Sequence, residues 1–196
     1  MSTHHNDAVR VLAYHSAYRL PQTDEAPSTE VAAVLRNAEA LEAALTPEER
    51  QRVANIAARR LAFQILYELD VTQPKDPRAA VEAMLAHVDG LGPIMGERVR
   101  DFALGAWENR KAADAVFATL APEWPTHRLA GVDRAILRLA HREIASRANP
   151  ASISINEAVE LARAFGTEKS PAFINALVHK AAQSLGAPDA PPDGAP

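Results

Sequence analysis

The sequence predicts an all-α fold. Glycine is scarce (8 of 196 residues) and aromatic residues make up 5%, a composition that favours helix over strand. Apolar residues recur at three- and four-residue spacing through most of the chain, as one face of a helix requires. Helix-starting residues stand in front of several of these runs, and proline or glycine stands behind them.

Taken in order, residues 1–30 mix His, Pro, Thr and acids without a sustained period and read as flexible. Residues 31–45 read as an alanine-rich helix within an N-terminal extension, 1–48. Thr46-Pro47-Glu48-Glu49 supplies a cap, a proline where a missing N–H costs nothing, and early acids, so a helix should run to about Val71. Gln73-Pro74-Lys75-Asp76-Pro77 stops it, and Asp76-Pro77 starts the next, to about His87. Gly90, Gly92 and Pro93 mark a loop before a long helical pattern from about Ile94 to Leu120, which Pro122 and Pro125 break. Helices should then occupy about Leu129–Ser146, Ile155–Phe165 and Pro171–Leu185. Ser154 reads as the N-cap of the second of these, with Glu157 at capping-box spacing, and Gly166 as its left-handed terminator. Ser170, followed by Pro171, reads as the cap of the last. The expected unit is thus 49–186, in halves 49–121 and 126–186, with a disordered Pro-rich tail at 187–196. Its buried core should include Leu61, Ile65, Leu66, Ile136, Leu139, Val159, Leu161, Ile174 and Leu177.

Composition also excludes. No apolar run approaches the roughly 18 residues of a membrane span, and the N-terminus lacks a basic-then-apolar signal pattern. With no cysteine there are no disulfides or thiolate metal sites, which fits a cytoplasmic location. The histidines form no ligand pair beside a carboxylate, and neither a phosphate loop nor a nucleophile elbow is present. No cofactor and no catalysis are expected; this is a binding protein. The net charge of −4 is unevenly spread. Residues 1–50 carry eight acids against four arginines, whereas 128–184 carry eight basic residues against five acids, a mildly basic field.

Three motifs carry a family likeness: Ala62-Phe63-Gln64-Ile65-Leu66-Tyr67, then Val132-Asp133-Arg134-Ala135-Ile136-Leu137-Arg138-Leu139-Ala140, then Ile155-Asn156-Glu157-Ala158-Val159-Glu160-Leu161-Ala162 with Phe165-Gly166 and Glu168-Lys169-Ser170-Pro171-Ala172-Phe173-Ile174-Asn175. Over roughly residues 57–184 the chain resembles the NusB family of bacterial transcription antitermination factors. The resemblance implies a compact helical fold of two subdomains. It also implies binding of boxA-type nascent RNA together with the NusE ribosomal protein, within the RNA polymerase antitermination complex that promotes read-through of ribosomal RNA operons. A homodimer is compatible with it.

On a wheel of about 100° per residue, Ala58, Leu61, Ala62, Ile65, Leu66 and Leu69 form an apolar stripe. Arg60, Phe63, Gln64 and Tyr67 fall opposite, with Arg52 and Arg59 beside them. Arginines neutralise phosphates, rings stack on bases and amides read base edges, which is the chemistry of a single-stranded RNA surface. The alternative is a helix buried on two sides with solvated arginines; the resemblance favours RNA. Where relatives carry an arginine cluster, this chain has Asn55-Ile56-Ala57-Ala58, which leaves fewer phosphate contacts. The second candidate patch is Lys169 with Phe173, in the first turn of the last helix; Phe173 packed under the preceding loop is the structural alternative. Arg138 and Glu157 are expected to form an architectural ion pair. Arg134, Arg138 and Arg142 share a face that reads equally as solvated, while Asn156 and Asn175 read as partners for backbone groups near helix ends.

Two rivals stand beside the antitermination reading. A similar domain precedes the catalytic domain of some ribosomal RNA cytosine methyltransferases, but little sequence follows the helical unit here. A divergent paralogue could keep the scaffold for protein interaction or dimerisation, with weak or no RNA binding. The acidic extension adds a further question, since its carboxylates could compete with phosphate for Arg52, Arg59 and Arg60. The favoured reading is that it only packs against, or trails from, the body. Deleting residues 1–45 should therefore leave the RNA titration at low salt unchanged with the chain still folded; a marked gain in affinity would show autoinhibition instead.

Overall fold

A computed structural model describes residues 45–88 and 91–187; the expected helix at 31–45, but for Leu45, and nearly all of the C-terminal tail lie outside these residues. Among the described residues every regular element is helical: α1 (Pro47–Thr72), α2 (Pro77–Ala86), α3 (Pro93–Glu108), α4 (Arg110–Leu120), a 3-10 turn (Thr126–Arg128), α5 (Gly131–Ser146), α6 (Ala151–Phe165) and α7 (Ser170–Ser184). The all-α reading holds.

The first two starts follow the sequence chemistry. Thr46 accepts the Glu49 N–H at 3.3 Å while Glu49 accepts the Thr46 N–H at 2.8 Å, a reciprocal box that satisfies two otherwise orphaned donors. Asp76 accepts from the Ala79 N–H at 3.0 Å ahead of Pro77.

Four local expectations need correction. The long pattern from Ile94 to Leu120 is two helices that meet at Asn109, whose side chain and backbone N–H both donate to the Gly105 carbonyl, at 2.8 and 3.2 Å. Ser154 caps nothing: Pro150 sets the entry to α6, its carbonyl accepts from the Ile153 N–H, and Ser154 lies fully buried one turn in. Gly166 does end α6, but in extended backbone rather than a left-handed turn. What requires glycine there is space, since a Cβ would stand 2.5 Å from Ser170 Cβ and 2.7 Å from the Ala162 carbonyl oxygen. Ser170 is the first residue of α7, and its hydroxyl accepts the Thr167 N–H at 2.9 Å, bracing the loop behind it.

Central to the architecture is α5, which packs against α1, α3, α4, α6 and α7. Ile136, Leu137 and Leu139 enter one continuous core with Leu66, Leu69, Val81, Val99, Phe117, Ile174 and Val178. That core runs through both expected halves. The remaining expected core residues are buried as well, except Val159, which is half-buried in a cleft between α6 and α7.

The arginine face of α5 is paired rather than solvated. Arg134 and Arg138, one turn apart, grip the two oxygens of Asp70 near the end of α1 at 2.5 and 2.6 Å. Arg138 also binds Asp114 on α4 at 2.8 Å, and Arg142 binds Asp101 on α3 at 3.1 Å. The expected Arg138–Glu157 pair does not form, because Asp70 and Asp114 already occupy the guanidinium and Glu157 lines a cleft between α1 and α6. Burial opposes the charge on Asp70, but hydrogen bonds and charge from Arg138 and Arg134 outweigh it and hold the carboxyl below its ordinary range.

A carboxyl depressed in this way stabilises the fold above its unfolded pKa of about 4, and that contribution is lost as pH falls through the folded value. The unfolding free energy should fall in acid, and Asp70→Asn should flatten that portion of the profile. At neutral pH, Asp70→Ala should cost about 3–5 kcal/mol by denaturant titration, because two arginines lose a buried partner.

Candidate nucleic-acid interface

The basic end of α1 is not one surface. Arg52 is exposed and lines a cleft of about 370 Å³ between the first turns of α1 and α6, with Gln51, Asn55, Asn149, Ser152 and Asn156. Arg59 touches the same cleft but is 3% exposed, its Nε donating to the buried Glu143 of α5 at 2.6 Å and its guanidinium lying over the Phe102 ring. Burial pushes the Glu143 carboxyl up, against the pull of Arg59. Arg60 is buried too, and so is Phe63, whose ring meets that of Phe165 at 4.9 Å between centroids.

The helical wheel puts Arg60 and Phe63 opposite the apolar stripe; that side is buried too, as the alternative of a helix buried on two sides expects, but Arg59 and Arg60 are buried rather than solvated. Both α3 and α5 pack on α1, so the helix is covered on two sides and the side away from the apolar stripe is interior as well. Of the group, Gln64 is partly buried and Tyr67 is 38% exposed. The Tyr67 ring lies against Gly131, where a Cβ would stand 3.0 Å from it.

In the second candidate patch, Lys169 is exposed and Phe173, one turn further along, is half-buried. Beside Phe173 stands a ring that sequence reading passed over. Trp124, in the loop between α4 and the 3-10 turn, is 60% exposed, with its centroid 6.3 Å from that of Phe173 and the planes inclined at 66°. Its only sequence signal was a tryptophan between two loop prolines, Pro122 and Pro125, which also served as the break between helices.

Asn156 and Asn175 are exposed and line clefts instead of serving backbone groups. Asn156 lies where the α1–α6 cleft meets a second one, between α6 and α7, of about 650 Å³. Arg52 is exposed and Phe173 half-buried, while Arg59, Arg60 and Phe63 belong to the interior. Among the described residues, no group of three His, Asp or Glu could hold a metal ion. Of the histidines, His141 is buried beside Phe117, and that burial lowers its pKa.

Residues 56–183 match the family model described as the NusB family. The chain belongs to the NusB family. Relatives that it matches are named as transcription antitermination proteins. It is 39% identical over 124 residues to the transcription antitermination protein NusB of Desulforamulus reducens, covering 63% of this chain and 85% of that one. With the NusB of Oleidesulfovibrio alaskensis the identity is 36% over 135 residues, 66% of this chain and 87% of the relative. The solved structure of T. maritima NusB superposes with a TM-score of 0.62 at 28% identity, covering 70% of this chain and 93% of that one. Residues 1–55 precede the matched segment.

This NusB-family chain makes Arg59 a poor probe of RNA contact. Arg59→Ala strands a buried carboxylate, which should cost about 3–5 kcal/mol in denaturant unfolding. Replacing both partners, as Arg59→Met with Glu143→Leu, should recover most of that loss. A single mutant as stable as wild type would mean that the pair is not buried in solution.

Proposed function

We propose that this protein is a transcription antitermination factor that binds boxA-type single-stranded RNA together with the NusE ribosomal protein, acting in the cytoplasm on the RNA polymerase complex of ribosomal RNA operons. The observation that carries the reading is its 35–39% identity, across most of their length, to relatives named as antitermination proteins. Two surface regions support it with suitable chemistry. Arg52 beside the amides of Gln51, Asn55 and Asn156 offers phosphate neutralisation and base-edge hydrogen bonding. Lys169 beside Phe173 and Trp124 offers a cation next to rings. No helix among the described residues is long and apolar enough to cross a membrane.

The electrostatics favour shared binding. With Arg59 held by Glu143, and Arg134, Arg138 and Arg142 held by aspartates, these arginines of α1 and α5 are neutralised within the fold. A basic partner seated beside this surface supplies what the chain itself lacks, so RNA affinity should rise steeply when NusE is present.

The same neutralised arginines favour the second reading, a scaffold that engages protein and little RNA. Titration of a boxA-like oligonucleotide and a scrambled one, with and without NusE, separates the two. Antitermination requires preference for the boxA-like strand, strengthened by NusE; equal weak binding of both strands supports the scaffold. Arg52→Ala and Lys169→Ala should each flatten the dependence of log affinity on log salt by about 1 if that residue neutralises one phosphate, and should leave the unfolding midpoint unchanged.

A further inference from the structure

Two tryptophans sit in opposite environments: Trp107 is 4% exposed within the core, whereas Trp124 is 60% exposed. A large aromatic left open to water on a short loop is a common mark of a contact surface. The loop itself is well held. The Trp124 backbone N–H donates to the Ala121 carbonyl at 2.9 Å, and Arg134 donates to the carbonyls of Thr126 and Leu129, which closes the turn that follows.

The geometry with Phe173 decides what the pair can do. Their planes are inclined at 66° with centroids 6.3 Å apart, so the rings meet edge to face and leave no parallel slot in which a base could intercalate. Phe173 is half-buried and packs against the core, so much of its surface is already covered. The open face belongs to the indole. Lys169, the N-cap residue of α7, lies four residues before Phe173 and so shares its side of the helix, within reach of a phosphate flanking a base stacked there. Nearby along the chain, the exposed Glu123 and Glu168 offset Lys169 and the exposed Arg128, which makes this a stacking site more than a charged one.

We propose that Trp124 is the base-stacking ring of this surface, taking one unpaired base of single-stranded RNA on its open face, and that Phe173 is a positioning residue that holds the indole. The inference rests on the RNA reading above and names the residue that would carry stacking at the Lys169 end. Stacking needs no counterion release, so its signature is distinct from that of a phosphate contact.

The test uses the full chain, with and without NusE, and labelled boxA-like and scrambled oligonucleotides followed by anisotropy alongside intrinsic fluorescence. Trp124→Ala should raise the dissociation constant of the boxA-like strand about 5- to 150-fold, with an unchanged salt slope and unfolding midpoint. Trp124→Phe should keep most of the affinity. RNA should quench the long-wavelength emission of the exposed indole in wild type, and the quench should vanish in Trp124→Phe while the Trp107 signal remains. Phe173→Leu should weaken binding less than Trp124→Ala and add nothing in the double mutant. If Trp124→Ala binds RNA as wild type does and wild-type emission is not quenched, the stacking role is overturned while the RNA reading stands. If it binds RNA normally but loses NusE, the indole is a protein contact and the proposal fails. If wild type binds neither oligonucleotide in either condition, the RNA reading fails and the stacking role falls with it.

Discussion

Asp70 is the carboxylate on which two helices close. Arg134 and Arg138 reach it from successive turns of α5, and Arg138 carries the connection on to Asp114 of α4. Such an arrangement leaves little choice of register. Sliding α5 by one residue would rotate the arginines away from their aspartates and, at the same time, withdraw Ile136 and Leu139 from the core. The polar and apolar sides of α5 thus specify the same placement, and α1, α3 and α4 are located relative to α6 and α7 through it. Desolvation offsets much of the Coulomb gain in buried pairs, so their contribution here is to specificity more than to net stability.

A second buried pair has the opposite relation to the surface. Glu143 draws Arg59 inward and takes a cation out of the α1–α6 cleft. Stability and RNA attraction therefore compete for one guanidinium, and the fold holds it at 3% exposure. What remains in the cleft is Arg52 among amides and the carboxylates of Glu48 and Glu157, a surface better suited to reading a strand than to capturing it from a distance.

The fold was legible where the signal was local. Thr46 with Glu49, and Asp76 with Pro77, announce helix starts because cap and partner lie within four residues. Gly166 announced an end for a reason different from its usual one, since its requirement is the approach of Ser170 and not a left-handed backbone. Ser154 misled because a serine three residues before a glutamate also occurs inside helices, and Pro150 had already begun this one. The candidate site was harder to read. A wheel ranks residues around one axis and leaves open whether α1 is covered from one direction or two, so it could not settle the burial of Arg60 and Phe63. Partners such as Glu143, 84 residues from Arg59, and Asp70, 68 residues from Arg138, are invisible to any local window.

The missing Cβ at Gly166 reaches beyond the loop that contains it. Because Ser170 closes against that bare backbone and its hydroxyl holds Thr167, the passage from α6 to α7 is a stiff joint with no slack. Lys169 lies within it and Phe173 in the first turn beyond. A ligand meeting them finds side chains whose backbone is already ordered, so little conformational entropy remains to be lost on association. In such a surface, recognition can change by exchanging the side chains carried past the joint, while the joint itself tolerates no larger residue than glycine.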